Sequence, residues 1–125
     1  MADKPLVLIA DDDARNIFAL KAVLSTKGYA VITATNGREC LEVLEKAPQV
    51  DIVLMDMMMP EMDGYEATQA IRKKPEFQHL PIIAVTAQAM VGDKEKCLQA
   101  GATDYISKPI DVEQLVQVMS TYITK

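Results

Sequence analysis

The sequence lacks several features that would indicate particular classes of protein. Its 125 residues contain no apolar stretch approaching the roughly 20 residues that cross a membrane. The start, MADKP, has no apolar segment behind a basic end, so it does not resemble a signal peptide. The net charge of −5 argues against non-specific nucleic-acid binding, which depends on clustered Lys and Arg. We therefore expect a cytoplasmic protein that binds neither nucleic acid nor membrane directly.

Cysteine and histidine are too few and too scattered to indicate a disulfide framework or a zinc site. Cys40 and Cys97 lie far apart, with no CxxC motif and no Cys/His grouping. We expect both to be buried free thiols in a reducing compartment. The single histidine, His79, falls in a predicted loop and is expected at the surface. No glycine-rich phosphate loop is present, so nothing indicates nucleotide binding.

Strand-like and helix-like segments alternate along the whole chain. Short apolar segments rich in branched residues predict five strands, at 6–10, 30–34, 51–55, 81–86 and 104–107. The first, third and fourth are almost continuously apolar, which is typical of strands buried on both faces of a parallel sheet. Helical spacing of apolar residues separates them and is clearest in the last segment, at Val112, Leu115, Val116, Met119 and Ile123. The pattern predicts a single α/β domain over residues 1–125, with a doubly wound, five-stranded parallel sheet flanked by five helices.

Capping residues predict where several helices begin and end. Asp13 and Asp111 are expected to be the N-caps of the first and last helices. Gly28 and Gly101 are expected to follow the first and fourth helices. The third helix is predicted from about residue 64 to residue 73.

Polar residues follow four of the predicted strands, at the edge of the sheet where open α/β folds bind ligands. These residues are Asp11, Asp12, Asp13, Asp56, Thr86 and Lys108. Neighbouring carboxylates repel each other and need a cation to stay ionised, and oxygen ligands without His or Cys suit Mg²⁺. The set predicts a magnesium-dependent site that receives a phosphoryl group. Asp56 is the expected nucleophile, while Lys108 and Thr86 stabilise the phosphoryl oxygens.

Four segments carry a resemblance to a known family: LIADDD, VLMDMMMPEMDGYEA, PIIAVTA and AGATDYISKP. In this order and spacing, the chain resembles the receiver domain of two-component response regulators over essentially its full length. The resemblance implies the strand order 2-1-3-4-5. It also implies a signalling switch rather than an enzyme, which takes a phosphoryl group from a histidine kinase or a histidine phosphotransfer protein.

The resemblance implies a role for each residue at the acidic end of the site. Asp56 matches the phosphoacceptor. Asp11 and Asp12 match the acidic pair that holds Mg²⁺, with Asp12 as a direct ligand and Asp11 acting through water. Met58 matches a position where the backbone carbonyl binds the metal, so its side chain is free to vary.

The resemblance further implies how phosphorylation is transmitted. Thr86 matches the switch hydroxyl, and Tyr105 matches an aromatic residue that changes rotamer together with it. Lys108 matches the phosphate-pairing lysine, and its bond to Pro109 is usually cis in the family. The expected output surface is formed by helix 4, strand 5 and helix 5, roughly residues 90–123.

Three consecutive methionines follow the phosphoacceptor. Contiguous side chains point in different directions, so packing is favoured over a copper site. Met57 and Met59 are expected to pack, whereas Met58 is expected to shield the acyl phosphate from water. Ala87 and Gln88, which follow the switch hydroxyl, are further positions expected to modulate the site.

Two alternatives to the signalling switch fit the sequence less well. A small phosphatase of the haloacid-dehalogenase type also uses Asp, Thr or Ser, Lys and Mg²⁺, but it has a second Asp where this chain has Met58. It also needs a cap domain, for which no chain is left. A flavodoxin would need a Ser/Thr-rich phosphate loop after the first strand, which is absent.

The chain stops shortly after its fifth predicted helix, with STYITK. We therefore expect no output domain and a downstream protein partner. A free-standing receiver and the receiver of a hybrid sensor kinase both fit this length. The segments DDDARNIFAL and MDMMMPEMDGYEATQAIR favour the second setting.

Overall fold

The structure is a computed structural model that describes residues 4–59, 62–86 and 91–123, without the side chains of 91–93. The strands are β1 (Leu6–Ala10), β2 (Ala30–Ala34), β3 (Ile52–Asp56), β4 (Ile82–Thr86) and β5 (Asp104–Ser107). The α-helices are α1 (Ala14–Thr26), α2 (Gly37–Lys46), α3 (Gly64–Arg72), α4 (Val91–Ala100) and α5 (Val112–Tyr122). A short 3₁₀ helix, Pro75–Phe77, precedes β4.

The five strands form one parallel sheet in the order β2-β1-β3-β4-β5. This confirms the predicted fold class and strand order. In the sheet Asp56 pairs with Val85, and Thr86 pairs with Ser107. The carboxyl ends of β3, β4 and β5 therefore lie side by side at one edge.

The core has one layer on each face of the sheet. Alternate strand residues such as Leu8 and Met55 pack with α2, α3 and α4, whereas Ile9 and Leu54 pack with α1 and α5. Every residue of β3 and β4 is buried, as their continuous apolar sequences predict. Because neither face of the central strands is open to water, their ends are held firmly.

Strand β3 begins one residue later than predicted, so that Asp56 is its last residue rather than the residue after it. Asp51 is exposed, and its carboxylate accepts a hydrogen bond of 2.7 Å from the backbone N–H of Leu6. Asp51 therefore lies just before the first residue of β3. The phosphoacceptor candidate is in this way part of the sheet, which fixes its backbone.

The capping residues predicted for α1, α4 and α5 lie at the ends of these helices in the structure. Asp13 and Asp111 are N-caps whose side chains accept backbone N–H bonds at the start of α1 and α5. Gly28 and Gly101 follow α1 and α4 with φ of 94° and 114°, a conformation that favours glycine. Helix α3 ends at Arg72, one residue before its predicted end.

The predictions about exposure and thiols are also confirmed. Cys40 and Cys97 are buried and neither forms a disulfide, and burial raises the pKa of Cys40 to about 12, so its thiol is inert. His79 is exposed in the loop before β4. Across the described ranges, every helix is too short or too polar to cross a bilayer.

Candidate functional site

Three carboxylates meet at the carboxyl edge of the sheet. Asp11, Asp12 and Asp56 each place an oxygen within 4.8 Å of the other two. Asp11 and Asp56 are buried, whereas Asp12 is exposed at the mouth of the group. The N–H of Asp11 donates to the carbonyl of Ala34 at 3.0 Å, and its carboxylate accepts the N–H of Asp13 at 2.8 Å. These bonds hold the loop after β1 against the end of β2.

The carboxylate of Asp56 is held from two sides. Its Oδ1 accepts the backbone N–H of Met58 at 3.0 Å, and its Oδ2 lies 3.6 Å from Nζ of Lys108. The N–H of Lys108 donates to the carbonyl of Thr86 at 2.7 Å, and the Lys108–Pro109 bond is cis. The loop after β5 thus brings the lysine to the end of β3, although β4 separates the two strands.

Burial raises the pKa of the Asp56 carboxyl above its ordinary value of 3.8, and the negative charges of Asp11 and Asp12 raise it further. The N–H of Met58 and the ammonium of Lys108 act in the opposite direction without overcoming burial. The ionised form of Asp56 is therefore disfavoured in the metal-free site, even with Lys108 beside it.

This electrostatic arrangement predicts how stability changes with pH in the absence of metal. Folding favours the protonated form of Asp56, so stability falls as the pH rises from 3.8 through the raised pKa of the folded state. At pH 7 without metal, Asp56→Asn should unfold roughly 3 to 5 °C above the parent protein, the shift that about 1 kcal/mol produces in a domain of this size. Thermal unfolding followed by circular dichroism measures the difference.

The difference in unfolding temperature between Asp56→Asn and the parent should shrink as the pH is lowered below 3.8, because the parent carboxyl is then also neutral. Asp13→Asn is the matched control, since the N–H of Arg15 lowers the pKa of this exposed cap and Asn remains a good N-cap. It should give no gain in stability. An Asp56→Asn protein less stable than the parent at pH 7 without metal would contradict the electrostatic account.

The methionines after Asp56 divide into buried and exposed positions. Met57 and Met59 are buried in the core layer beside α2 and α3, which confirms that they pack. Met58 is 70% exposed, while its backbone N–H donates to the carboxylate of Asp56. Its side chain therefore lies at the solvent boundary of the site, next to Asp56.

Thr86 and Tyr105 occupy neighbouring strands. Thr86 is buried at the end of β4, and Tyr105 is half-buried on the edge strand β5, packed against the core. Nζ of Lys94, on α4, lies 5.6 Å from the centroid of the Tyr105 ring. No pattern in the sequence indicated this cation–π contact. Ala87 and Gln88, the other predicted modulating residues, lie outside the described residues.

The chemistry of the three-carboxylate group fits a magnesium ion. The group offers three oxygen atoms close together and contains neither His nor Cys. Hard divalent cations prefer such oxygen ligands, and Mg²⁺ commonly binds one or two carboxylates while retaining water. Burial, together with the charges of Asp11 and Asp12, raises the pKa of Asp56, and a bound cation would stabilise its ionised form.

Comparison with known proteins adds independent information. The sequence profile of the response regulator receiver domain matches residues 7–120. The polar-differentiation response regulator DivK of Brucella anthropi is 38% identical over 117 residues, 94% of this chain and 94% of that protein. Hybrid signal transduction histidine kinase I of Dictyostelium discoideum is 43% identical over 125 residues, which cover 95% of this chain but 7% of that protein.

A solved structure gives the same result at the level of the fold. The receiver domain of a sensor histidine kinase from Pseudomonas aeruginosa superposes with a TM-score of 0.89 and 35% identity, covering 98% of this chain and 99% of that one. That structure has a magnesium ion coordinated in its active-site cleft. These matches are to regulators and receiver domains, so they do not favour the phosphatase alternative.

Proposed function

The chain belongs to the response regulator receiver domain family, and we propose that it is a switch in which Asp56 accepts a phosphoryl group. The observation that carries this proposal is the position of the Asp56 carboxylate. It is buried at the end of β3, beside two acidic residues and 3.6 Å from the ammonium of Lys108. The donor is a histidine kinase or a histidine phosphotransfer protein.

The transfer forms one bond and breaks one. A carboxylate oxygen of Asp56 attacks the phosphorus of a phosphohistidine, and the P–N bond breaks as the O–P bond forms. The electron pair of the P–N bond stays on the imidazole nitrogen, and the product is an acyl phosphate. The N–H of Met58 holds Oδ1, which keeps Oδ2 facing Lys108. Lys108 and Thr86 then stabilise the negative phosphoryl oxygens.

We propose that Asp12 and Asp56, the backbone carbonyl of Met58 and, through water, Asp11 hold Mg²⁺. When bound, the ion supplies positive charge to the phosphoryl oxygens. The three carboxylates would hold the cation at the carboxyl edge of the sheet, where Asp11 and Asp56 are buried and Asp12 lies beside them. The magnesium-bearing sensor-kinase receiver supports this assignment by similarity.

Phosphorylation adds about −1.5 to −2 of charge at Asp56, and the proposed response is a shift of population between two conformations. Thr86 moves toward the phosphoryl group, and the ring of Tyr105 turns inward to fill the space that it leaves. Because Lys94 lies against that ring, the movement reaches α4 directly. A downstream protein then binds the surface of α4, β5 and α5. We place this cycle in the cytoplasm, a reducing compartment that suits cysteines which form no disulfide.

A small-molecule phosphodonor with Mg²⁺ tests the proposed function against hydrolysis of phosphoesters. A switch should take up one phosphoryl group per chain, and alkali should cleave the bond. Mass spectrometry of the intact protein measures the stoichiometry. Continuous release of phosphate from several phosphoesters, with no labelled protein, would instead identify a phosphatase.

The exposed side chain of Met58 is expected to set the lifetime of the acyl phosphate. Met58→Asn replaces an apolar group beside Asp56 with an amide that can orient water, so hydrolysis should accelerate about tenfold, or about 1.4 kcal/mol in the barrier. Decay of the phosphorylated form after removal of the donor measures this rate. Met58→Leu keeps the apolar bulk and should decay as the parent does. Equal rates in the Asn variant and the parent would count against shielding.

A further inference from the structure

One peptide group joins the phosphoacceptor to the first residue of α3. The N–H of Met58 donates to Oδ1 of Asp56 at 3.0 Å. The carbonyl of the same peptide group, which belongs to Met57, accepts the N–H of Gly64 at 3.3 Å. A peptide group is planar and rigid, so a bond that holds its carbonyl also restricts the direction of its N–H. Gly64 is therefore linked to the Asp56 carboxylate through a single peptide group.

Helix α3 approaches the end of β3 too closely for a side chain at position 64. Gly64 is buried, and a Cβ atom there would lie 2.5 Å from the carbonyl oxygen of Asp56, 2.6 Å from Cα of Met57 and 2.7 Å from its Sδ. Gly64 does not have the positive φ that favours glycine at Gly28 and Gly101. Alanine would even be the better residue for the helix itself. Glycine is required here because α3 must lie against the backbone of the phosphoacceptor.

The start of α3 leaves the N–H of Gly64 available for this contact. Asp63 is the N-cap: its carboxylate accepts the N–H of Glu66 at 2.9 Å, and the carboxylate of Glu66 accepts the N–H of Asp63 at 3.3 Å. This capping box determines where the helix begins. The first four N–H groups of an α-helix have no partner within the helix, so that of Gly64 binds the Met57 carbonyl without weakening α3.

We propose that Gly64 is a positioning residue for the phosphoacceptor: its N–H and its lack of a side chain orient the Met57–Met58 peptide, which in turn holds the carboxylate. The consequence for the reaction rests on the proposed function, in which an oxygen of Asp56 attacks the phosphorus. A methyl group at position 64 would push Met57 away from α3 and turn the peptide. The carboxylate would then be less restrained, and transfer slows when reacting groups leave their productive geometry.

Gly64→Ala tests the proposal by two independent measurements. In the metal-free protein, amide hydrogen exchange at Met58 should become at least about tenfold faster relative to the amides of β3, because its bond to Asp56 opens more often. With a small phosphodonor at saturating Mg²⁺, phosphorylation should be about tenfold slower, which is less than the roughly 100-fold that a misplacement of about 1 Å can cost. The first measurement uses neither donor nor metal.

Gly28→Ala is the control for general loss of stability. Gly28 lies between α1 and β2, with φ of 94° and no atom within 4 Å of an added Cβ, so alanine strains only the local backbone. This variant should unfold at a lower temperature, yet be phosphorylated at the parent rate and keep the Met58 amide protected. An equal loss of rate in both glycine variants would overturn the proposal, because the rate would then only follow stability.

An ester in place of the peptide bond between Asp63 and Gly64 separates the hydrogen bond from the crowding. The ester removes the N–H of Gly64, breaks no hydrogen bond within α3 and adds no side chain. Exchange at Met58 should again become faster and phosphorylation slower, and a parent value of either would overturn the proposal. This variant also decides the matter should Gly64→Ala not fold.

The remaining outcomes separate this inference from the proposed function. If the parent is phosphorylated and Gly64→Ala matches it in rate or in Met58 exchange, Gly64 does not position the carboxylate and the proposed function stands. If the parent takes up no phosphoryl group, the proposed function fails, whereas exchange at Met58 still decides whether Gly64 holds the peptide.

Discussion

Replacing Asp56 with Asn is expected to reduce phosphoryl incorporation to below about 0.1% of the parent rate, because the variant lacks the oxygen nucleophile on which the reaction depends. The amide can still accept the N–H of Met58, and it occupies the same volume at the end of β3. The fold should therefore remain intact, and the loss reports chemistry rather than unfolding. Incorporation from a small phosphodonor with Mg²⁺, measured by intact mass, gives the rate.

Asp13→Asn provides the control for the loss of phosphorylation, because it removes a neighbouring carboxylate that has no proposed role in the chemistry. Asp13 follows Asp11 and Asp12 in sequence, but its carboxylate caps α1 and accepts the N–H of Arg15 at 2.9 Å. Asparagine also serves as an N-cap, so this variant should be phosphorylated at the parent rate. Substantial labelling of Asp56→Asn would show that another side chain is the acceptor.

Removal of Mg²⁺ is expected to slow phosphorylation at least about 100-fold, because several kcal/mol of charge stabilisation is lost. Three carboxylates and one ammonium leave the metal-free site with excess negative charge, and the incoming phosphoryl group is itself negative. Lys108 alone cannot balance that charge at 3.6 Å from Asp56. Rates measured in chelator and in a series of Mg²⁺ concentrations, at constant ionic strength, test the expectation.

Asp12→Asn tests whether the three-carboxylate group is the place where Mg²⁺ binds. The exposed Asp12 is the proposed direct ligand, so its variant should need at least about tenfold more Mg²⁺ for half-maximal rate. Asp51→Asn is a suitable control, because Asp51 lies at the opposite end of β3 and its side-chain oxygen can still accept the N–H of Leu6. Equal rates with and without chelator would contradict a magnesium-dependent mechanism.

The sheet could be predicted from sequence because its signals are local. Continuous apolar segments mark β1, β3 and β4, and capping residues such as Asp13 and Asp111 mark helix starts. The site could be predicted in outline because parallel strands deliver their carboxyl ends to one edge. Polar residues at those ends, Asp11 and Asp56 among them, must then lie close together.

Contacts between segments distant in sequence were beyond prediction. Nothing in the sequence around Lys94 indicates that it lies over Tyr105, since the contact depends on how α4 packs against the sheet edge. The close approach of Gly37 to Met62 is similar, because glycine at the start of a helix is unremarkable until the neighbouring loop is placed. The raised pKa of Asp56 could not be predicted either, because it depends mainly on burial in the folded structure.

The site and the output surface are joined by short connections. Lys108 contacts Asp56 with its side chain, and its N–H binds the carbonyl of Thr86. Thr86 ends β4, whose next neighbour in the sheet carries Tyr105. Asp56 on β3 is therefore two strands away from β5, which forms part of the surface where we expect a partner to bind.

Identification of the phosphorylated residue tests the central claim most directly. The protein is phosphorylated by a small phosphodonor with Mg²⁺, the acyl phosphate is reduced with borohydride, and the digested peptides are sequenced by mass spectrometry. Reduction converts an aspartyl phosphate to homoserine, which marks its position permanently. We predict homoserine at position 56 and aspartate at positions 11, 12 and 13. Homoserine at one of those three positions, or a phosphate found on His79, would contradict the account.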